Sequence, residues 1–507
     1  MKLNQLSVYF IFLSLTLIFS CSKEDTKIYG GKYYESYTFE KPVINGQTFY
    51  IDPVNGSPNG DGSIKHPWRT LQEVIDSHLV QCYKPSESYN AESDPELINQ
   101  SAPIEGGDRI ILLSGYHGFL NLNYFMFTDW LTIEGAEGAD PVFSQIKFTG
   151  AFKNIYLKNL TIDKSSYERS KNFWEAEDIN QNSKACLYLG SSDFWGNCSN
   201  IKVDNLKLRT TTEVSGWTTA DWVEKASDGI ALRSAKNIEV VNCKVENVRH
   251  GITVDYNSEH SKVVNNSVID FCGDGSRVNS NHVLFAYNTI IGCLKVDDNH
   301  DDGIQSFSRG DDGTAGTGVV SGVTIRGNII IGVKDFNNPM YGSLQGIGCF
   351  DGMFDNWIVE NNLIVSNTYH GISFYGMLNS KILNNTVIDQ VTGDDVSPWI
   401  LIHEHKNGTE SNNCTIANNI VSSSVSYSGE NVEAGNNFVF GKSNYDSVLF
   451  MFVDPQNNDF HLLDNAYTRN NIIDKGMVFK SLVSSQADLE QELRADSPDL
   501  GAYEYVE

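Results

Sequence analysis

An all-β fold, a single-stranded parallel β-helix or solenoid, is predicted from three observations in the 507-residue chain. A polar residue followed by Gly, and usually Ile, recurs at Asp228-Gly229-Ile230, His250-Gly251-Ile252, Asp274-Gly275-Ser276, Asp302-Gly303-Ile304, Gln345-Gly346-Ile347 and His370-Gly371-Ile372. The intervals run from 22 residues (228 to 250) to 43 (302 to 345), the spacing of repeats that bury their cores only against one another. Between them lie short alternating or apolar runs such as Ile201-Lys202-Val203, Ile238-Glu239-Val240-Val241 and Val323-Thr324-Ile325, bounded by Asn, Gly, Ser or Asp. An Asn follows nearly every run, at 159, 205, 266, 288, 328, 362, 385 and 419, with Cys243 in the same slot of one repeat. These predict an internal asparagine ladder, because Asn tolerates left-handed turns and its amide bonds both the local backbone and the next coil.

The elements follow in order. Lys2 and the apolar run from Leu6 to Phe19 have the length of a signal h-region and are short for a membrane span. Its ending, Ile18-Phe19-Ser20-Cys21, resembles a bacterial lipobox, which implies a signal peptide over 1–21 and lipidation of Cys21. Cleavage by an ordinary signal peptidase is the alternative. Ser22-Lys23-Glu24-Asp25 resembles the acidic export tag of Bacteroidota surface lipoproteins. Together these imply an exported outer-membrane lipoprotein, surface-exposed or periplasm-facing, that meets the membrane only through its lipid.

Residues 22–46 are polar and read as a tether. Residues 47–80 hold Phe49-Tyr50-Ile51-Asp52-Pro53, a Gly/Asn-rich turn and an amphipathic helix near Leu71 to Ile75. This strand and helix resemble the N-terminal cap of extracellular right-handed parallel β-helix enzymes. The coils are assigned to 81–450 and a C-terminal cap to 451–507, where Phe452-Val453-Asp454-Pro455 and Leu500-Gly501-Ala502-Tyr503 resemble the closing segment of that class.

A net charge of −27 excludes nucleic acid as a partner, since a polyanion is repelled over most of the surface. Beyond Cys21, eight scattered cysteines without CxxC spacing argue against a zinc site or a disulfide framework and read as small buried residues. A monomer acting on a polysaccharide is expected.

Parallel strands lie about 4.8 Å apart with alternate residues on one face, so aligning the repeats on their Gly defines three outward columns. One residue before Gly stand Asp228, His250, Asp274, Asp302, Gln345 and His370. Two after it stand Ala231, Thr253, Arg277, Gln305, Gly348 and Ser373, and four after it Arg233, Asp255, Asn279, Phe307, Phe350 and Tyr375. Acids, imidazoles, amides and aromatics on one strip suit a sugar chain. Asp228, Arg233, Asp255, Asn279, Phe307, His370 and Tyr375 are the candidate substrate-binding residues.

Four acids and a His crowd Asp297-Asp298-Asn299-His300-Asp301-Asp302. Like charges this close need a cation or shifted protonation, and Asp274, Asp301, Asp302 and Gln305 offer oxygens to a hard ion such as Ca2+. Gly273-Asp274-Gly275 followed by Asp301-Asp302 resembles the calcium site of one group of β-helix pectate lyases. That resemblance implies Asp274, Asp301 and Asp302 as ligands, with Gln305 where the group has a fourth Asp. The group's catalytic Lys has no counterpart; its positions here are Gly348 and Ser373.

Cleavage of a uronate-containing polysaccharide by β-elimination is the first expectation. It needs a base at the carbon α to the carboxylate and a cation on that carboxylate. Arg277 is the candidate cation, and His250 or His300 the base; His250, flanked by Asp228 and Asp274, is expected to have a raised pKa. Hydrolysis is the second expectation, with Asp274 and Asp302 about 5 Å apart on adjacent coils, or Asp228 and Asp274 about 10 Å apart, as the catalytic carboxylates. Asp298-Asn299-His300-Asp301 is similar to the Asp-Pro-His-Asp/Glu motif of mannuronan epimerases, a third reading. A surface glycan-binding solenoid with Phe307, Phe350, Tyr375 and Trp399 as its platform is the non-enzymatic alternative.

Overall fold

The computed structural model describes residues 40–87, 93–166, 185–191, 198–389, 396–441, 445–478 and 487–506. The signal peptide, Cys21 and residues 22–39 of the tether lie outside them. Among the described residues, 37 strands join one continuous sheet that winds as a parallel β-helix. One coil uses Ile252–Asp255, Lys262–Val264 and Ser267–Phe271. The next coil pairs with all three in parallel: Ile252↔Ser276, Lys262↔Leu284 and Ser267↔Thr289.

The Gly-Ile phrase builds the core. Ile230, Ile252, Ser276, Ile304, Ile347, Ile372, Ile400 and Val425 are successive register partners. All but Val425 are fully or almost fully buried. Each Gly is required by the next coil: a Cβ at Gly251 would lie 2.2 Å from Gly275 O, and one at Gly346 would lie 2.1 Å from Gly371 O.

The asparagine ladder is present but begins later than the spacing predicts. Asn266, Asn288, Asn328, Asn362, Asn385, Asn419 and Asn437 each offer Oδ1 to the preceding rung, starting with the Cys243 N–H at 2.9 Å. Asn159 and Asn205 sit one position earlier, at the left-handed corner (φ 54° and 56°), and the inward slots of those coils hold Leu160 and Leu206. Two Asn columns run side by side, and the sequence merged them. Asn328 is buried, donates to Phe285 O and Asn362 Oδ1, and accepts from Asn288 N and Nδ2. Asn328→Leu therefore strands several buried polar groups, each worth about 1–3 kcal/mol. A loss of about 3 kcal/mol or more is expected in chemical denaturation.

Both ends are closed. Leu71 and Val74 of the helix Leu71–Asp76 are buried against the first coil, and Thr70 Oγ1 caps it by accepting from Glu73 N–H at 3.2 Å. Residues Cys82–Pro85 and Pro95–Ile98 depart from the solenoid as an antiparallel hairpin. At the other end the tail runs back along the outside of the coils. Phe452, Phe460, Leu500 and Tyr503 pack on outward residues Ile331, Leu363, Ile388 and Ile420. Arg494 Nη2 donates to Asn361 Oδ1 at 2.9 Å, Ala502 N to Thr386 Oγ1 at 2.9 Å and Gly501 N to Asn418 O at 2.8 Å.

All eight described cysteines are free and buried. Among the described residues no helix is long and apolar enough to cross a membrane. The insertion 210–225 folds into the helix Thr219–Lys225, whose Trp222 is buried against Cys272 and Leu294 beside the acidic turn.

Candidate functional site

Strand register aligns the middle column as expected: Thr253, Arg277, Gln305, Gly348 and Ser373 are successive partners. The outermost column breaks after four coils, beyond Phe307. A bulge makes Phe307 the partner of Asp351, not of Phe350, so the later aromatics form a separate group.

The column before Gly is not an open row of acids, because the side chain three residues on folds back over it. Arg277 Nε donates to Asp274 Oδ2 at 2.6 Å, Gln305 Nε2 donates to Asp302 Oδ2 at 3.0 Å, and His370 Nδ1 meets Ser373 Oγ at 2.9 Å. Asp274 and Asp302 are consequently 0% exposed, and the partly exposed groups on this strip are Arg277, Gln305 and His370. The two carboxyls are linked by the Asp302 N–H, which donates to Asp274 Oδ1 at 3.0 Å.

Burial pushes both carboxyls up, Asp302 much further, because Asp274 and Asp301 add their repulsion. Arg277 and the Asp302 amide pull Asp274 back toward its charged form. Of the two, Asp302 is the one whose neutral form burial and like-charge repulsion favour more strongly. Asp302 Oδ1 is buried without a hydrogen-bond partner. It faces Gly348, where a Cβ would stand 2.2 Å from that oxygen and 2.6 Å from the Phe350 ring. Gly348 is buried, with Asp302 and the Phe350 ring packed where a side chain would stand. Gly348→Ala forces these apart and is expected to lower kcat/KM at least about tenfold while costing about 1–3 kcal/mol in stability. Steady-state kinetics and thermal unfolding check the two effects.

His250 corrects the expectation of a raised pKa. Its value lies well below the ordinary 6.5, first through burial and then through Arg277 and Arg249 nearby. Nδ1 accepts the Asp274 N–H at 3.0 Å, so the neutral ring carries its proton on Nε2 and faces outward as a donor. The 3.8 Å approach of Nδ1 to Asp274 Oδ2 is accordingly no ion pair. His300 is exposed, and its charge helps lower the pKa of His370, which places the two imidazoles near one another.

The acidic turn relieves its own repulsion. Asn299 N–H donates to Asp297 Oδ1 at 2.9 Å, Asn299 Nδ2 to Asp301 Oδ1 at 3.1 Å, and Lys295 Nζ lies 3.7 Å from Asp301 Oδ2 while also bonding Asn299 O. Burial raises the Asp301 carboxyl to about 6. These contacts decide the fit to calcium, an ion that takes six to eight oxygens. Both oxygens of Asp274, both of Asp301 and one of Asp302 already face N–H donors or Lys295. Among the described residues no three His, Cys, Asp or Glu side chains gather as a metal ion requires. In this arrangement Asp274, Asp301, Asp302 and Gln305 do not fit calcium, and the Arg277 guanidinium stands as the local cation.

The remaining predicted residues divide in two. Asn279 Oδ1 accepts the Phe307 N–H at 3.0 Å and its Nδ2 donates to Asp255 Oδ1 at 3.3 Å, a link between coils; Asp228 Oδ1 accepts the His250 N–H at 3.4 Å. His370, Tyr375 and Phe350 form an aromatic wall with Trp399: Phe350–His370 4.9 Å, Phe350–Tyr375 5.6 Å and His370–Trp399 5.3 Å between ring centres. Sequence reasoning passed over Gly348, read only as a missing Lys, and over Tyr256 and Arg309. The signal for the latter pair was their nearness in sequence to Asp255 and Phe307.

No protein-family model and no curated protein matches this chain. Among solved structures it is similar to a pectate lyase, at 13% identity over 91% of this chain and 97% of that one, TM-score 0.44. It is also similar to a GH136 lacto-N-biosidase from Eubacterium ramulus, at 14% identity over 78% and 68%, TM-score 0.41. A third is the A-module of a mannuronan C-5 epimerase from Azotobacter vinelandii, at 14% identity over 66% and 89%, TM-score 0.39. None of these likenesses transfers a residue role to this chain.

Proposed function

We propose that the protein cleaves a uronate-containing polysaccharide by β-elimination, with the Arg277 guanidinium holding one carboxylate of the chain and His370 taking the proton three coils further along. The observation that carries this reading is the ascending order of the partly exposed Arg277, Gln305 and His370 along one strip. Arg277 is 27% exposed while the Asp274 that anchors it is 0% exposed, a rigid cation presented to the groove. Arg277 stands three coils, roughly 14 Å, from the level of His370, so it holds a carboxylate of the chain beyond the unit whose C–H is broken.

His370 serves as base. Burial and His300 lower its pKa, so it is neutral near pH 7. His370 Nδ1 meets Ser373 Oγ at 2.9 Å, and Ser373 Oγ accepts Trp399 Nε1–H at 3.2 Å; the tautomer required of the base is the one in which His370 Nδ1–H donates to Ser373 Oγ and Nε2 keeps its lone pair. His370 takes the proton from the carbon α to the carboxylate, the adjacent C–O bond breaks as the C=C bond forms, and the departing oxygen gains a proton from groove water. Asp274 and Asp302 are positioning residues, the first for Arg277 and the second for Gln305. Hydrolysis through this carboxylate pair would need side chains to move, since both are buried.

The test is turnover of a panel of acidic and neutral polysaccharides, with ultraviolet absorbance of unsaturated ends and reducing ends recorded in parallel, with and without chelator. Absorbance from an acidic polymer, unchanged by chelator, is the expected outcome. Reducing ends without absorbance would replace elimination by hydrolysis, and loss with chelator would restore the metal. Export and anchoring through Cys21 belong to the same proposal and are checked by fatty-acid labelling of the full chain against Cys21→Ala.

A further inference from the structure

We propose that Arg233 and Arg309, gathered on the ring of Tyr256, form a second anion subsite that holds a carboxylate or sulfate ester of the polymer away from the reacting unit. The inference rests on the reading that this strip binds polysaccharide, and it adds the requirement that the polymer carry charge on more than one unit. Arg233 Cζ lies 4.2 Å and Arg309 Cζ 4.7 Å from the centre of the Tyr256 ring, and Arg309 is also 5.1 Å from that of Phe307. Both arginines are exposed and Tyr256 is half-buried.

Their lack of carboxylate partners singles them out. Acidic residues number 64 against 37 Lys and Arg. The other described arginines at 69, 109, 209, 277, 326, 469 and 494 each pair with a carboxylate. Among the described residues Arg233 and Arg309 do not, and neither does Arg249, which lies close enough to Asp274 and His250 to act on both. Asp255, the register partner of Arg233 on the next coil, accepts from Asn279 instead. Two like charges on one ring repel each other, and an anion between them relieves that repulsion through charge-assisted hydrogen bonds.

The platform is held in place. Tyr256 has a left-handed backbone (φ 41°), unfavourable for a residue with a bulky side chain, and its carbonyl accepts from Ser234 N at 2.6 Å and from Ser258 Oγ at 3.3 Å. Arg233 stands two coils before Arg277 and two residues further along the strand, a backbone separation of roughly 12 Å. One extended polymer running along the coils can therefore meet both cationic points.

The probes are polygalacturonate for carboxylate, dextran sulfate for sulfate ester and dextran for neither, in affinity gel electrophoresis of the full chain. His370→Gln protein supplies the background, so that binding is read without turnover. Adding Arg233→Gln and Arg309→Gln is expected to weaken binding of one anionic polymer about tenfold or more and to leave dextran unchanged; the polymer affected identifies the anion. Arg233→Lys with Arg309→Lys should restore part of the loss, which a purely structural role of these exposed side chains would not predict. Equal binding by parent and double variant, or no binding of either anionic polymer by the parent, overturns the subsite. Lost binding together with absent elimination in the wild type keeps the subsite and removes the reaction assigned above.

Discussion

Arg277→Ala is expected to lower kcat/KM on an acidic polysaccharide by about tenfold or more, the size of effect of losing one charge-assisted contact to the substrate. It is also expected to destabilise the fold by about 3–5 kcal/mol, because Asp274 is left as a buried carboxylate without its cation. The two effects separate in the double variant Arg277→Ala/Asp274→Asn. With an amide in place of the acid, no charge is stranded, so the unfolding midpoint in denaturant returns toward wild type while activity stays lost. Recovery of activity along with stability would show Arg277 to be structural only.

His370→Gln is expected to lower kcat/KM by about 10²–10⁴-fold with little change in unfolding temperature, since the amide can still reach Ser373 Oγ. The pH profile carries more information. The active form of a base is unprotonated, and the His370 pKa lies below the ordinary 6.5 because of burial and the nearby His300. Activity should therefore persist as pH falls through 6.5 and decline only below it. That acidic limb should flatten in the Gln variant, measured at saturating and subsaturating substrate. A limb centred above 6.5 would assign the proton transfer to another group.

Much of the fold was legible because a solenoid writes its register into sequence: Gly is needed where the next coil's carbonyl approaches, and Ile is repeated where the core column runs. The middle column derived from that phrase is the observed set of register partners through Gly348 and Ser373. The errors came where two periodicities overlap. Asn serves both the left-handed corner and the inward rung one residue later, so Asn159 and Asn205 were assigned to the wrong column. The site was legible as a strip but not as chemistry, since depth cannot be read from register. Asp274 and Asp302 share a column with His370, yet whether each is covered depends on the length of the side chain three residues on. Arg277 and Gln305 are long enough to close over their acids, whereas Ser373 is short and leaves His370 half-exposed.

The returning C-terminal tail has a mechanical consequence. Repeats that touch only their neighbours can fray one at a time from an open end, each loss costing little. Here Arg494 grips Asn361, Ala502 grips Thr386 and Gly501 grips Asn418, three successive coils. The last coil cannot peel away until the tail lets go of those beneath it. Opening from that end thus becomes close to all-or-none, and the aromatic wall around His370 and Trp399, only a few turns from the end, is held by a strap fastened to a different strand of each coil.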